Sequence, residues 1–174
     1  MASVFFPYSH KDEAFRDQLE SHLALQGLID AWHDRRITAG EEVDAAIFGK
    51  LEAADIILLL VSSDFISSSY CYSREMARAM ERHEAGQARV IPVILRHCMW
   101  HDAPFGKLMA VPLDGRPIAS WPDRDEAMAQ VAAEVAKAVK SVGGGAAPAG
   151  AVQPRSAAIA ASSADAANPR SSNL

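Results

Sequence analysis

Glu75 stands in the stretch SSSYCYSREMARAM (67–80), where a serine-rich loop runs into a helix. Its carboxylate is either a solvated surface group or a reacting group at the mouth of a sheet, and its position must decide between the two. Cys71 falls one helical turn earlier on the same side and reads as a small packed thiol rather than a nucleophile. Ser62, Ser63, Ser67, Ser68 and Ser69 have no G-x-S-x-G elbow around them, so they read as loop and capping residues. His97, Cys98 and His101 crowd three ligand types into five residues without a distant partner pair, a poor spacing for zinc, and no metal is expected.

The elements that position Glu75 alternate along the chain. SVFF (3–6) is a short apolar run stopped by Pro7. Phe15, Leu19 and Leu23 repeat four apart in a helix ended by Gly27. LIDAW (28–32) is the next strand. Thr38 with Glu41 resembles a capping box, ahead of Val43, Ile47 and Leu51 at helical spacing. DIILLLV (55–61) is apolar on both faces, as a central strand covered on two sides must be. The Glu75 helix is expected over about 70–85, followed by a strand at RVIPVIL (89–95) despite Pro92. The stretch 96–116 is irregular. PIAS (117–120) is expected as a fifth strand, and Asp123 with Glu126 caps a last helix whose inner stripe is Met128, Val131, Val135 and Val139.

Such alternation implies an α/β fold of the flavodoxin-like kind: three layers, a five-stranded parallel sheet in the order 2-1-3-4-5, and helices on both faces. Ligands in such sheets sit beyond the carboxyl ends where the chain reverses direction, between strands 1 and 3. That crevice is lined by PYSHKD after strand 1 and SSDFISSSYC after strand 3, and Glu75 lies one turn into the helix leaving it. Glu75 is therefore the candidate reacting group. A phosphorylated receiver is excluded, because strand 1 is not followed by paired acids and no lysine directly follows strand 4 or 5. PYSHKD has no glycine for a dinucleotide turn, and no Walker loop is present.

The 174 residues are 49% apolar, enough for one domain with a proper core and some excess. DIILLLV is too short to span a bilayer, and MASVFFPYSHKD lacks the pattern of a signal peptide. Two cysteines, Cys71 and Cys98, are too few for a disulfide framework, so a reducing cytoplasm is expected. The net charge of −5 without a basic stripe argues against nucleic acid as a partner. The domain is expected over 1–142. In 143–174, 23 of 32 residues are Ala, Gly, Ser or Pro, the composition of a disordered tail or of a linker to a further domain.

Five segments in order resemble the TIR (Toll/interleukin-1 receptor) domain, particularly its bacterial NAD-cleaving branch. VFFPYSHKDEAF (4–15) is similar to the family's first box, and AWHDRRITAGEEV (31–43) to its BB-loop segment. SSDFISSSYCYSREM (62–76) resembles the box with the catalytic glutamate, a Tyr-Cys pair with Glu four residues beyond the Cys. VIPVIL and PFGKLMAVPLDGRPIASWPDRDEA resemble the strand-4 and terminal segments. The likeness covers roughly 3–142.

The resemblance implies an enzyme that cleaves the nicotinamide–ribose bond of NAD+, with ADP-ribose or a cyclised form as product, and no cofactor beyond that substrate. Positive charge builds on the ribose as the base departs, and one carboxylate suffices because nicotinamide leaves as a neutral ring. The motif position gives this role to Glu75. Tyr8 and Ser9 would line the crevice floor. Trp32, Arg35 and Arg36 would supply stacking and diphosphate pairing, although Trp32 reads equally as a core aromatic and the arginine pair as a solvated face. Tyr70 or Tyr72 would stand in for a tryptophan that some family enzymes carry near the start of this helix, with Cys71 between them. Asp64 reads as a turn residue, with a ribose contact as the alternative. Self-association through the BB loop, about 33–41, would complete the site in the setting of a bacterial immune or cell-suicide system. A non-catalytic adaptor that recruits other TIR domains is the alternative, and a flavin carrier has little in its favour.

Overall fold

The computed structural model describes residues 2–24, 29–32, 39–40, 42–69 and 73–143. Four strands, β1 (Ala2–Phe5), β2 (Ile29–Trp32), β3 (Ile56–Val61) and β4 (Arg89–Ile94), form one parallel sheet in the order β2-β1-β3-β4. The described α-helices are α1 (Glu13–Ala24), α2 (Val43–Ala53), α3 (Ser63–Ser67), α4 (Arg74–Glu84) and α5 (Arg124–Gly143). The compact unit runs from Met1 to Val139.

Period-two alternation along the strands divides the core into two clusters, one on each face of the sheet. Val4, Ile56, Leu58, Leu60 and Val93 pack with Leu19 and Leu23 of α1 and Met128, Val131 and Val135 of α5. Phe5, Ile57, Leu59, Val61 and Ile94 face the other way, against Leu51 of α2 and Met76, Ala79 and Met80 of α4. All six residues of β3 are fully buried, as its unbroken apolar run requires.

The expected strand at 117–120 is not a strand. Ile118–Ser120 forms a 3-10 turn, and among the described residues the sheet has four strands rather than five. Pro112 and Pro117 have no N–H to give to a ladder. The edge of β4 is served piecemeal instead: Ile94 N–H donates to Val111 O at 2.8 Å, Val111 N–H to Pro92 O at 2.9 Å, and Ala119 N–H to Leu95 O at 2.9 Å. Ile118, fully buried, is the anchor that made the tetrad look strand-like. Within 96–116 the only helical piece is the 3-10 turn Leu113–Gly115, closed by Gly115 at φ +66°.

Other boundaries shift too. Helix α4 begins at Arg74 rather than near 70. The residues of the expected capping box, Thr38 and Glu41, lie outside the described residues, as does Gly27, and α2 starts behind Glu42 with no side-chain cap. Of the α2 stripe, Leu51 is buried and Ile47 partly so, whereas Val43 is exposed. Asp123 does cap α5, its Oδ1 accepting from Asp125 N–H at 2.9 Å. Among the described residues no helix is long and apolar enough to cross a membrane.

Candidate active site at the rim of the sheet

In a parallel sheet each crossover helix runs against its strands, so the N-terminus of α4 stands at the carboxyl end of β3. Ser73 starts the helix, its Oγ accepting from Met76 N–H at 3.3 Å. A Schellman motif ends it at Gly86, φ +73°, with Gly86 N–H donating to His83 O and Gln87 N–H to Arg82 O. Glu75 is the second helical residue, where the aligned peptide dipoles favour a negative charge. Side chains four apart share a helical face, which puts Glu75 one turn above Ala79, a residue fully buried in the cluster shared with α2. Glu75 is itself half-buried. Among the described residues its carboxylate makes no hydrogen bond or ion pair.

The crevice between the ends of β1 and β3 holds a charged network instead of an open floor. Asp12, 1% exposed, accepts from the hydroxyl of the fully buried Ser62 and from Arg96 Nε at 3.0 Å. Arg96 also donates to Asp64 at 2.6 Å, and Lys11 reaches Asp64 at 3.1 Å. The Arg96 hydrogen bond, then that of Lys11, holds the Asp64 carboxyl below its usual range, and Asp64 in turn raises Arg96. Segments following β1, β3 and β4 are thereby tied together.

This network corrects one expectation. Asp64 sits in α3, committed to two cations, rather than in a turn. Ser9 caps the 3-10 turn His10–Asp12, its Oγ accepting from Lys11 N–H at 3.4 Å. Tyr8 packs on the α1/α5 face, with the Arg16 guanidinium 5.4 Å from its ring centroid, whereas Glu75 rides the opposite face with α4. Arg35, Arg36, Tyr70 and Cys71, and the side chain of Trp32, lie outside the described residues. Ser62 is a cap, accepting from Phe65 N–H at 3.2 Å. Among the described residues no three metal-ligating side chains are grouped, and burial pushes the Cys98 thiol up, away from reactivity.

Asp12 and Arg96, 84 positions apart, are what residue-by-residue reading missed. The available hint was a lone Arg directly after an apolar strand, at the same sheet end as an Asp after strand 1.

The sequence pattern of the family described as TIR domain matches residues 4–132, from within β1 to within the first half of α5. The chain belongs to the TIR domain family. The network and the Glu75 rim both fall inside the matched TIR domain. The chain is 56% identical over 182 aligned residues to the uncharacterized protein y4lF of Sinorhizobium fredii (strain NBRC 101917 / NGR234), covering 100% of this chain and 55% of that protein. It therefore spans about half the length of that relative. It is also 28% identical over 82 residues to the Disease resistance-like protein DSC1 of Arabidopsis thaliana, 47% of this chain and 6% of that protein.

Proposed function

We propose that this TIR domain is an NAD+ glycohydrolase with Glu75 as its catalytic carboxylate. The observation that carries the reading is the placement of Glu75: half-buried on the rim where β3 ends, at a helix N-terminus, and unclaimed by any described cation. In the reaction the C1′–N bond breaks, its electron pair leaves with neutral nicotinamide, and the ribose carries the positive charge. The Glu75 carboxylate faces that charge and stabilises the oxocarbenium-like state. Water then adds at C1′ and gives up a proton, leaving ADP-ribose; attack by a group of the same nucleotide would give the cyclic product.

The remaining substrate contacts fall to Tyr8, Ser9, Trp32, Arg35, Arg36, Tyr70 and Cys71, completed by a second copy through segment 33–41. Activity then rises faster than linearly with protein concentration. The biological setting is a cytoplasmic bacterial defence or cell-suicide output, with a sensor domain or partner beyond residues 143–174. Membership of the TIR domain family equally supports a second reading, a non-catalytic adaptor built on the same TIR–TIR contacts.

Nicotinamide release from NAD+ by wild type and Glu75→Ala, measured over a range of protein concentrations alongside light scattering, separates the two. Release by wild type that is lost in the folded variant supports the enzyme. Assembled wild-type protein that leaves NAD+ intact overturns it in favour of the adaptor.

A further inference from the structure

Helix α4 turns three arginines toward α2 at four-residue spacing. Arg74 lies over the Phe48 ring at 4.9 Å. Arg78 holds both oxygens of Glu52, through Nε and through a second nitrogen at 3.0 Å. Arg82, 7% exposed, donates to the carbonyls of Leu51 and Ala54 at the end of α2. The middle arginine matters most for the site, because residues three apart on a helix are neighbours, and Arg78 is three beyond Glu75.

Arg78 is charged and spoken for. Its hydrogen bond to Glu52, then that to Glu81 at 2.9 Å, raises its guanidinium further above the usual range, and the same bond lowers the Glu52 carboxyl. Glutamate preceding a cation along a helix is the favourable order for a pair, and Glu75→Arg78 has it while Arg78→Glu81 is reversed. A guanidinium released from Glu52 keeps Glu81 on one nitrogen, and Nε and the other nitrogen that Glu52 held have Glu75 as their next acceptor.

We propose that Glu52 is a positioning residue for the Glu75 site: by holding Arg78 across the seam between α2 and α4, it keeps that guanidinium off the Glu75 carboxylate. The inference rests on the reading of Glu75 as the group facing the ribose. A carboxylate already paired with Arg78 would offer less negative charge to the sugar, and the cation beside it would oppose the charge building there. Substrate turnover thus depends on a residue of α2 that touches no reacting atom.

The test uses the full chain as wild type, Glu52→Ala, Arg78→Ala and the double variant. A helical pair of this kind is occupied enough to slow nicotinamide release by about two- to threefold in Glu52→Ala. Adding Arg78→Ala restores release to the level of Arg78→Ala alone, whereas a merely structural seam leaves the double variant no better than Glu52→Ala. A second readout is independent of turnover: the Arg78 Nε–Hε signal in nitrogen-15 NMR, assigned by its disappearance in Arg78→Ala. It stays protected in Glu52→Ala, because Glu75 takes over the pairing, and is lost to solvent exchange in Glu52→Ala with Glu75→Gln. Loss of the signal in Glu52→Ala alone, or a double variant that gains nothing, overturns the proposal. A wild type that leaves NAD+ intact instead overturns the enzyme reading, and the NMR comparison still decides where Arg78 goes.

Discussion

Arg96→Ala should be the most damaging single change at the rim outside the apolar core. Arg96 reaches Asp12 with one hydrogen bond, from Nε at 3.0 Å, and with a second guanidinium nitrogen in ion-pair contact at 2.9 Å, and Asp12 is 1% exposed. Without the guanidinium, the buried carboxylate keeps only the Ser62 hydroxyl among its described partners. Breaking a buried pair by deleting one member costs about 3–5 kcal/mol. Arg96 is itself 35% exposed, and the space it leaves admits water to Asp12, which brings the expected loss down to about 2–3 kcal/mol. Asp64 keeps Lys11 and adds little to that cost. For a compact unit ending at Val139, an unfolding entropy of about 2.1 cal/mol/K per residue converts this to a fall in Tm of roughly 7–10 °C. Differential scanning calorimetry of wild type, Arg96→Ala, Asp12→Ala and the double variant measures it. The double variant should lose less than the sum of the singles by at least about 1.5 kcal/mol, since removing both partners leaves no orphaned charge. A shift under about 2 °C, or additive singles, would refute the reasoning.

Arg82→Ala strips charge-assisted donors from Leu51 O, Ala54 O and Gln87 O, and should cost about 2–4 kcal/mol in urea unfolding, with Arg82→Lys recovering less than half because an ammonium cannot span the three carbonyls. A loss below about 1 kcal/mol would show that water replaces the guanidinium without penalty. His83 accepts Val90 N–H on Nδ1 at 3.1 Å, and burial, aided by Arg89, lowers its pKa. The unfolded chain then binds the proton more readily than the native one, so the contribution of His83 is complete above about pH 6.5 and is lost as pH falls through the lower native value. Urea midpoints should drop between pH 7.5 and pH 5, and drop less in His83→Gln; parallel curves would contradict this.

The sequence carried the architecture unevenly, for physical reasons. Strand β3 announced itself because IILLLV admits no solvent face, and α5 because Met128, Val131 and Val135 keep helical spacing behind the Asp123 cap. PIAS misled because its apolar character rests mainly on buried Ile118, next to a proline that cannot join a ladder. Helix α3 was missed because five residues, SDFIS, are too few to show a period; only Ser62 as cap and buried Phe65 mark it. The rim position of Glu75 was legible, since it depends on element order alone. The Asp12–Arg96 pair was not, because sequence spacing carries no information about which loops meet across a sheet end. The arginines at 74, 78 and 82 recur four apart, but nothing local in the sequence says that they face α2 rather than water.

Glu75→Gln is the most direct measurement of the central claim. The change keeps shape and removes charge, so the folded state should lose no more than about 1 kcal/mol, the value of an acidic residue in a helix's first turn. Nicotinamide release under conditions where wild type assembles and turns over should fall by about a hundredfold or more, the scale of removing one electrostatic stabiliser of a transition state. A folded Glu75→Gln protein that cleaves NAD+ within a fewfold of wild type would contradict the account.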